Sequence, residues 1–352
     1  MKHINVALFI PDEGCPYRCS FCNQKTISGF TEKPQPVDVE AACETALGGK
    51  KDVSGGEIAF FGGSFTAIEK GYMLSLLEAA KAYLDRGCFK GIRISTRPDC
   101  IDEGILETLK KYGVTSIELG CQSMDDEVLL LNGRGHTASQ CESACRFVKK
   151  YGFELGVQMM TGLPGDTDEK AILTAKKLIA LKPDTARIYP TVVLENTELE
   201  RLYNAGEYRP QTLEQAVCLC SRLLKIFNES SVRVIRLGLH SGGGVENGYV
   251  AGAYHPAFRE KCESRLYREK IESLLSKSGV LKGDVTVFVS PRFLSQAKGQ
   301  RKENEVYFKE HGYNINITTQ ENIEQYEVRL GTPLTGQTES RQKEEQDDLK
   351  RN

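Results

Sequence analysis

Long apolar runs are what this 352-residue chain most plainly lacks. No stretch approaches the roughly 18 consecutive apolar residues that a membrane-spanning helix needs, so a helical membrane protein is not expected. The opening "MKHINVALFI" holds one short apolar run, which Pro11, Asp12 and Glu13 stop early, and it predicts no export signal. An excess of charge is missing too: 46 Lys and Arg face 48 Asp and Glu, for a formal net charge of −2. No global basic field therefore advertises nucleic acid or an anionic membrane; a local patch is still compatible with this balance. The glycine-rich stretch around "GLHSGGGVENGYVAG" has no GxxxxGK[ST] pattern, which argues for a connector and against a phosphate cradle.

Cysteine, by contrast, is plentiful, with 12 residues in a chain that shows no sign of export. Such thiols are expected to be free in a reducing cytoplasm. Cys43, Cys88, Cys141, Cys145, Cys218, Cys220 and Cys262 lie in helix-like segments, where a buried thiol acts as a small apolar residue. Cys15, Cys19 and Cys22 differ, because "DEGCPYRCSFCNQK" gathers all three in one short segment that Gly14 and Pro16 keep from being a simple helix. A disulfide, a zinc ion and an iron-sulfur cluster are all chemically open to them. Structural zinc needs a fourth ligand, and no second Cys-x-x-Cys or His-x-x-His is nearby; His136, His240 and His255 are single candidates.

Strand signals fall at 4–10, 57–61, 91–96, 116–121, 154–160 and 185–190. Helical patterns such as "EGILETLKKYG" and "ASQCESACRFVKKYG" lie between them and end at glycine. This alternation predicts an α/β fold, a partial (β/α)6 TIM-like barrel whose site is built from loops at the carboxyl ends of the strands. The cysteine segment follows the first strand directly, at that end. The expected organisation is a core barrel over 1–235, a glycine-rich connector and helix over 236–275, a small C-terminal α/β unit over 276–330 and a disordered tail over 331–352. In the small unit, "DVTVFVS", "PRFLSQAKG", "GQRK", "ENEVYFKEHG" and "NINITT" read as strand, helix, turn, helix and strand. That order resembles the core of a KH module, although its turn, Gly299 to Lys302, lacks the second glycine of the GxxG clamp.

The spacing Cys-x-x-x-Cys-x-x-Cys in "CPYRCSFC", with Phe21 before the last cysteine, resembles the radical S-adenosylmethionine (SAM) family. The later motifs "FFGGSFT", "STRPD", "ELGCQS", "LNGRGHT" and "QMMTGLPGDT" are similar to those in the radical SAM half of the Elongator catalytic subunit, over roughly residues 4 to 200. Two departures stand out: the cysteine spacing here is the compact one of the superfamily at large, and nothing beyond residue 276 is long enough for an acetyltransferase domain. A smaller, bacterial-type relative is the better description. The resemblance implies a [4Fe-4S] cluster held by Cys15, Cys19 and Cys22, with one iron left open for SAM. One electron, from a donor such as flavodoxin or ferredoxin, would cleave SAM and release a 5'-deoxyadenosyl radical. Gly62, Gly63 and Ser64 correspond to the motif that receives the methionine amino group. Arg97, Gln122 and Arg134 suit the SAM carboxylate or ribose; Gln158 and Tyr189 suit ribose or substrate. Glu118 and His136 are secondary candidates, and Cys121 reads as a small buried residue before a second radical carrier.

The leading reading is thus a radical SAM enzyme acting on an unidentified substrate, with tRNA or another RNA the first guess. The runner-up is a zinc-dependent nucleic-acid-binding protein. A third reading, an iron-sulfur electron carrier without SAM, shares the cluster with the first.

Overall fold

The computed structural model describes residues 5–11, 13–16, 18–30, 32–49, 52–239 and 244–331. Its strands are β1 (Asn5–Ile10), β2 (Glu57–Gly62), β3 (Gly91–Thr96), β4 (Val114–Gln122), β5 (Glu154–Thr161), β6 (Thr185–Pro190), β7 (Val192–Leu194), β8 (Arg233–Leu237), β9 (Tyr249–Gly252), β10 (Gly283–Val289), β11 (Tyr313–Thr319) and β12 (Arg329–Leu330). The α-helices are α1 (Gln24–Ser28), α2 (Pro36–Leu47), α3 (Lys70–Asp85), α4 (Glu103–Lys111), α5 (Asp126–Leu131), α6 (Ala138–Lys150), α7 (Asp168–Ala180), α8 (Glu198–Asn204), α9 (Leu213–Glu229), α10 (Phe258–Ser278), α11 (Leu294–Lys298) and α12 (Glu303–Glu310). None of the described helices is long and apolar enough to cross a membrane.

All six expected strands are present, and a seventh joins them. The sheet runs β1-β2-β3-β4-β5-β6-β8, with every neighbouring pair parallel. The added strand, "RVIRL", abuts Gly238, so in sequence it merges with the start of the glycine-rich stretch. Only its pairing with β6 separates it from that connector.

Cross-lumen contacts show that the sheet is curled. The Arg187 guanidinium of β6 lies 5.0 Å from the ring centre of Phe61 on β2, four places away in the sheet. At the usual spacing of roughly 4.8 Å per strand, a flat sheet would hold those strands about 19 Å apart. The fold is therefore a partial barrel. Its outward side chains, among them Ile58, Phe60, Ile92, Ile94, Ile117, Leu119 and Leu155, are wholly buried. The helices that cover such a face are well capped: Asp102, Thr137, Thr167 and Thr212 each accept a backbone N–H in the first turn of α4, α6, α7 and α9.

Charge fills the floor of the barrel. Arg93 of β3, 1% exposed, donates to Glu57 at 2.8 Å, Glu118 at 3.3 Å and Glu154 at 3.0 Å, so three strands each aim a carboxylate at one guanidinium. Glu118 also accepts from Arg187 Nη2 at 2.9 Å, and Ser116 donates to Glu57 at 2.8 Å. Buried charges persist only when paired in this way.

The described residues divide into two compact units, one ending at Phe258 and the other starting at Arg259. Besides the sheet, the first holds an antiparallel pair, β7 with β9. In the second, β10 and β11 are parallel and flank α11 and α12 in sequence, while β12 pairs antiparallel with β10. Tyr267 and Ile271 of α10 pack with Val287, Phe308 and Ile317 in its core. The strand-helix-turn-helix-strand order is the one read from the sequence. Most of the segment read as a tail, from 332 on, lies outside the described residues.

Candidate functional site

The cysteine segment leaves β1 and is locked onto the end of β2 backbone to backbone. Gly63 N–H donates to Ile10 O at 2.8 Å, and Ser64 N–H donates to Glu13 O at 3.2 Å. A Cβ on Gly63 would stand 2.0 Å from Glu13 O, and one on Gly14 would stand 2.3 Å from Ser64 O. Gly14 and Gly62 also have φ of 72° and 110°, conformations that favour glycine. Farther along, Ser20 is tied to Asn132 through its hydroxyl at 2.6 Å and its N–H at 3.1 Å, and its carbonyl accepts from Leu199 N–H at 2.8 Å. Three separate elements thus pin one short loop.

On that loop Cys15 is exposed, Cys22 is half-buried and Cys19 is buried, and none of the three is in a disulfide. Burial, and then Cys19, push the Cys15 thiol above its usual pKa, while Arg97 and Arg134 pull it down. Among the described residues no three His, Cys, Asp or Glu side chains form a preassembled metal-ion site. The donor set nevertheless fits an iron-sulfur cluster: three soft sulfur donors on one loop with cations beside them.

Those cations come from the ends of β3 and from the turn after α5. Arg134 Nη1 lies 3.1 Å from Cys19 Sγ, and its Nη2 donates to Gly120 O at 2.6 Å. Its Nε is buried without a hydrogen-bond partner. Arg97 grips Asp99 through two bonds, at 3.0 and 2.9 Å, and donates to the carbonyl of Arg134. Behind them stands His136, whose Nε2 lies 3.3 Å from Cys121 O. Its imidazole is held down to a pKa of about 4, first by burial and then by the Arg134 charge, and is neutral at pH 7.

Polar residues continue around the rim. Ser64 and Thr66 both bond the Thr96 hydroxyl, at 2.8 and 2.6 Å, which joins the ends of β2 and β3. At the end of β4 the register to β5 slips between Gly120 and Gln122, and Gln122 takes a φ of 63°. Such a bulge re-aims a side chain; here Gln122 accepts from Gln158 Nε2 at 3.4 Å. Tyr189 stands near the end of β6, its hydroxyl 3.5 Å from Arg187 Nη1. Phe21 sits half-buried on the loop itself. The structure thus gathers Gly62, Gly63, Ser64, Arg97 and Arg134 around the cysteine loop, and places Gln158 and Tyr189 along the concave face. Cys121 is fully buried against Cys141 and Cys145, as a packing residue would be.

Of the histidines considered beside the cysteines, His255 accepts Ala257 N–H at 3.0 Å in its own turn, and His240 lies outside the described residues. Sequence reasoning passed over the inward aromatic and cationic residues. Phe9 stacks on Phe30 at 5.6 Å and lies 6.0 Å from Phe61, which in turn carries Arg187. Their signal is the period of two: Arg187 and Tyr189, or Gln158 and Met160, alternate with wholly buried neighbours. In the second unit, Arg301 and Lys302 of the predicted turn both have left-handed backbones, with Lys302 3.7 Å from Glu305.

Comparison with known proteins shows the family. The profile of the Radical SAM superfamily matches residues 9–178, and that of the Radical SAM C-terminal domain matches 183–268. The chain belongs to the radical SAM superfamily. Enzymes of this superfamily use a [4Fe-4S] cluster and SAM. The protein is 29% identical over 222 residues to an uncharacterized protein of Methanocaldococcus jannaschii, a match covering 62% of this chain and 65% of that one. It is 35% identical over 131 residues to the tRNA uridine(34) acetyltransferase of the same organism, covering 36% of this chain and 24% of the relative. Elongator complex protein 3 of Mus musculus is 30% identical over 190 residues, 48% of this chain and 35% of its own. These matches therefore span between a quarter and two thirds of the curated relatives. Among solved structures, the archaeal Methanocaldococcus infernus Elp3 superposes with a TM-score of 0.59 at 24% identity, over 79% of this radical SAM protein and 64% of the archaeal chain. That likeness is one of fold.

Proposed function

We propose that this protein is a SAM-cleaving radical enzyme whose Cys15, Cys19 and Cys22 hold three irons of a [4Fe-4S] cluster. The carrying observation is the locked cysteine loop at the carboxyl end of β1, with Arg134 on the sulfur of Cys19. When bound, the cluster supplies one electron that cleaves SAM to methionine and a 5'-deoxyadenosyl radical, which takes a hydrogen atom from substrate.

The chain's own residues then have distinct tasks. Gly62, Gly63 and Ser64 offer backbone carbonyls to the methionine amino group, on a turn that the two glycines let press against Ile10 and Glu13. Arg97 and Arg134 keep the region cationic. Gln122 and Gln158 turn amide groups toward ribose or substrate. Tyr189, Arg187, Phe61 and Phe9 line the lumen with one hydrogen-bonding and one stacking surface, which suits a planar, polar group such as a nucleobase. Together with the names of the relatives, this makes an RNA, tRNA first, the favoured substrate class. The setting is cytoplasmic and the electron comes from an external low-potential donor.

Anaerobically reconstituted protein is expected to be brown, to bind about four irons and to release 5'-deoxyadenosine from SAM on reduction. Cys19→Ala is expected to abolish iron and cleavage together. Colourless protein with stoichiometric zinc, or a cluster that leaves SAM intact, would refute the proposal. Nucleoside analysis of RNA from cells with and without the gene reads the substrate directly.

A further inference from the structure

The guanidinium of Arg134 is held too firmly, and in too particular a place, to be a general counter-charge. Its two Nη groups have different partners, Cys19 Sγ at 3.1 Å and Gly120 O at 2.6 Å, so the loop and the end of β4 fix the fork between them. The backbone is fixed as well. Arg134 N–H donates to Leu129 O at 3.0 Å, and its carbonyl accepts from Arg97, itself clamped by Asp99. Gly133 and Gly135, with φ of 62° and 67°, flank it and allow the tight turn that points the side chain inward. Arg134 is 6% exposed, so water does little to screen this contact.

We infer that Arg134 is a positioning residue that orients Cys19 and, through its N–H on the Cys19 sulfur, makes the cluster easier to reduce. This rests on the reading of Cys19 as a cluster ligand. Reduction adds one electron from the external donor, and the added negative charge spreads onto the ligand sulfurs. A cation and a hydrogen-bond donor at a sulfur stabilise the more negative form and raise the potential.

The test uses the full chain, reconstituted anaerobically without SAM and labelled with 15N-arginine. Pulsed electron paramagnetic resonance of the dithionite-reduced protein is expected to show a 15N coupling that disappears in Arg134→Lys. In a mediated redox titration, Arg134→Gln is expected to be at least tenfold less reducible at a given potential, about 59 mV lower for one electron, and Arg134→Lys intermediate. Wild type that carries no iron and no reduced-cluster signal would overturn the ligand reading, and the inference with it. A normal cluster signal without 15N coupling would overturn the inference alone. Coupling present in wild type but potentials unchanged in the variants would also overturn it. Should Arg134→Gln fail to load iron, the wild-type coupling and the Lys variant still decide the matter.

Discussion

His136 lies two residues beyond Arg134, neutral and buried, and its depressed pKa links folding to pH. Folded His136 takes a proton only near pH 4, whereas unfolded His136 takes one near the ordinary imidazole value of 6.5. Between those values the unfolded chain binds more protons, so this residue's stabilisation is complete above about pH 6.5 and is lost as pH falls toward 4. The loss amounts to at most about 3 kcal/mol. Asp166 opposes it: burial raises its carboxyl to about 6, so the folded state holds that proton longer and the Asp166 contribution weakens as pH rises through the same window. A comparison with His136→Gln isolates the histidine. In denaturant titrations the wild type is expected to lose stability relative to the variant between pH 6.5 and 4; parallel curves would refute the assignment. Arg93 carries a second residue-scale prediction. Arg93→Met removes the cation shared by three carboxylates, of which Glu118 keeps Arg187, and is expected to cost about 3–5 kcal/mol, read as a lower denaturation midpoint.

At the scale of elements, the decisive joint is between the cysteine loop and the β2 turn. Gly63→Ala places a methyl group 2.0 Å from Glu13 O, a clash with backbone that no rotamer relieves. We expect a loss of about 1–3 kcal/mol in stability and a larger proportional loss of bound iron, measured after reconstitution; full iron content would show that the loop tolerates displacement. The strands were legible because their apolar runs and turn residues are local signals, and "STRPD", "ELGCQS" and "QMMTGLPGDT" fell at strand ends as expected. The bulge that turns Gln122 was not legible, since it arises from the mismatch of β4 with β5 and has no signature in β4 alone. The same holds for "RVIRL", whose five residues form a strand only because β6 presents an open edge.

At the scale of the whole molecule, two units each have a core of their own, and a defect in one is expected to stay local. Ile317→Ala, in the second unit's core, is expected to cost that unit about 2–5 kcal/mol, with hydrogen exchange accelerating in β10 and β11 and the iron content of the reconstituted protein unchanged. Accelerated exchange throughout residues 5–239 would contradict the division. The sequence by itself determined the repeating strand-helix order, the end of the barrel that bears the cysteines, and the thiol chemistry available there, because period, turn residues and ligand type are properties of neighbours in the chain. Only the tertiary structure decided which residues meet across the lumen. Arg187 reaches Phe61 over 126 positions and Arg134 reaches Cys19 over 115, contacts that depend on the curl of the sheet. Curl is set by the summed twist and packing of seven strands, and no local stretch encodes it.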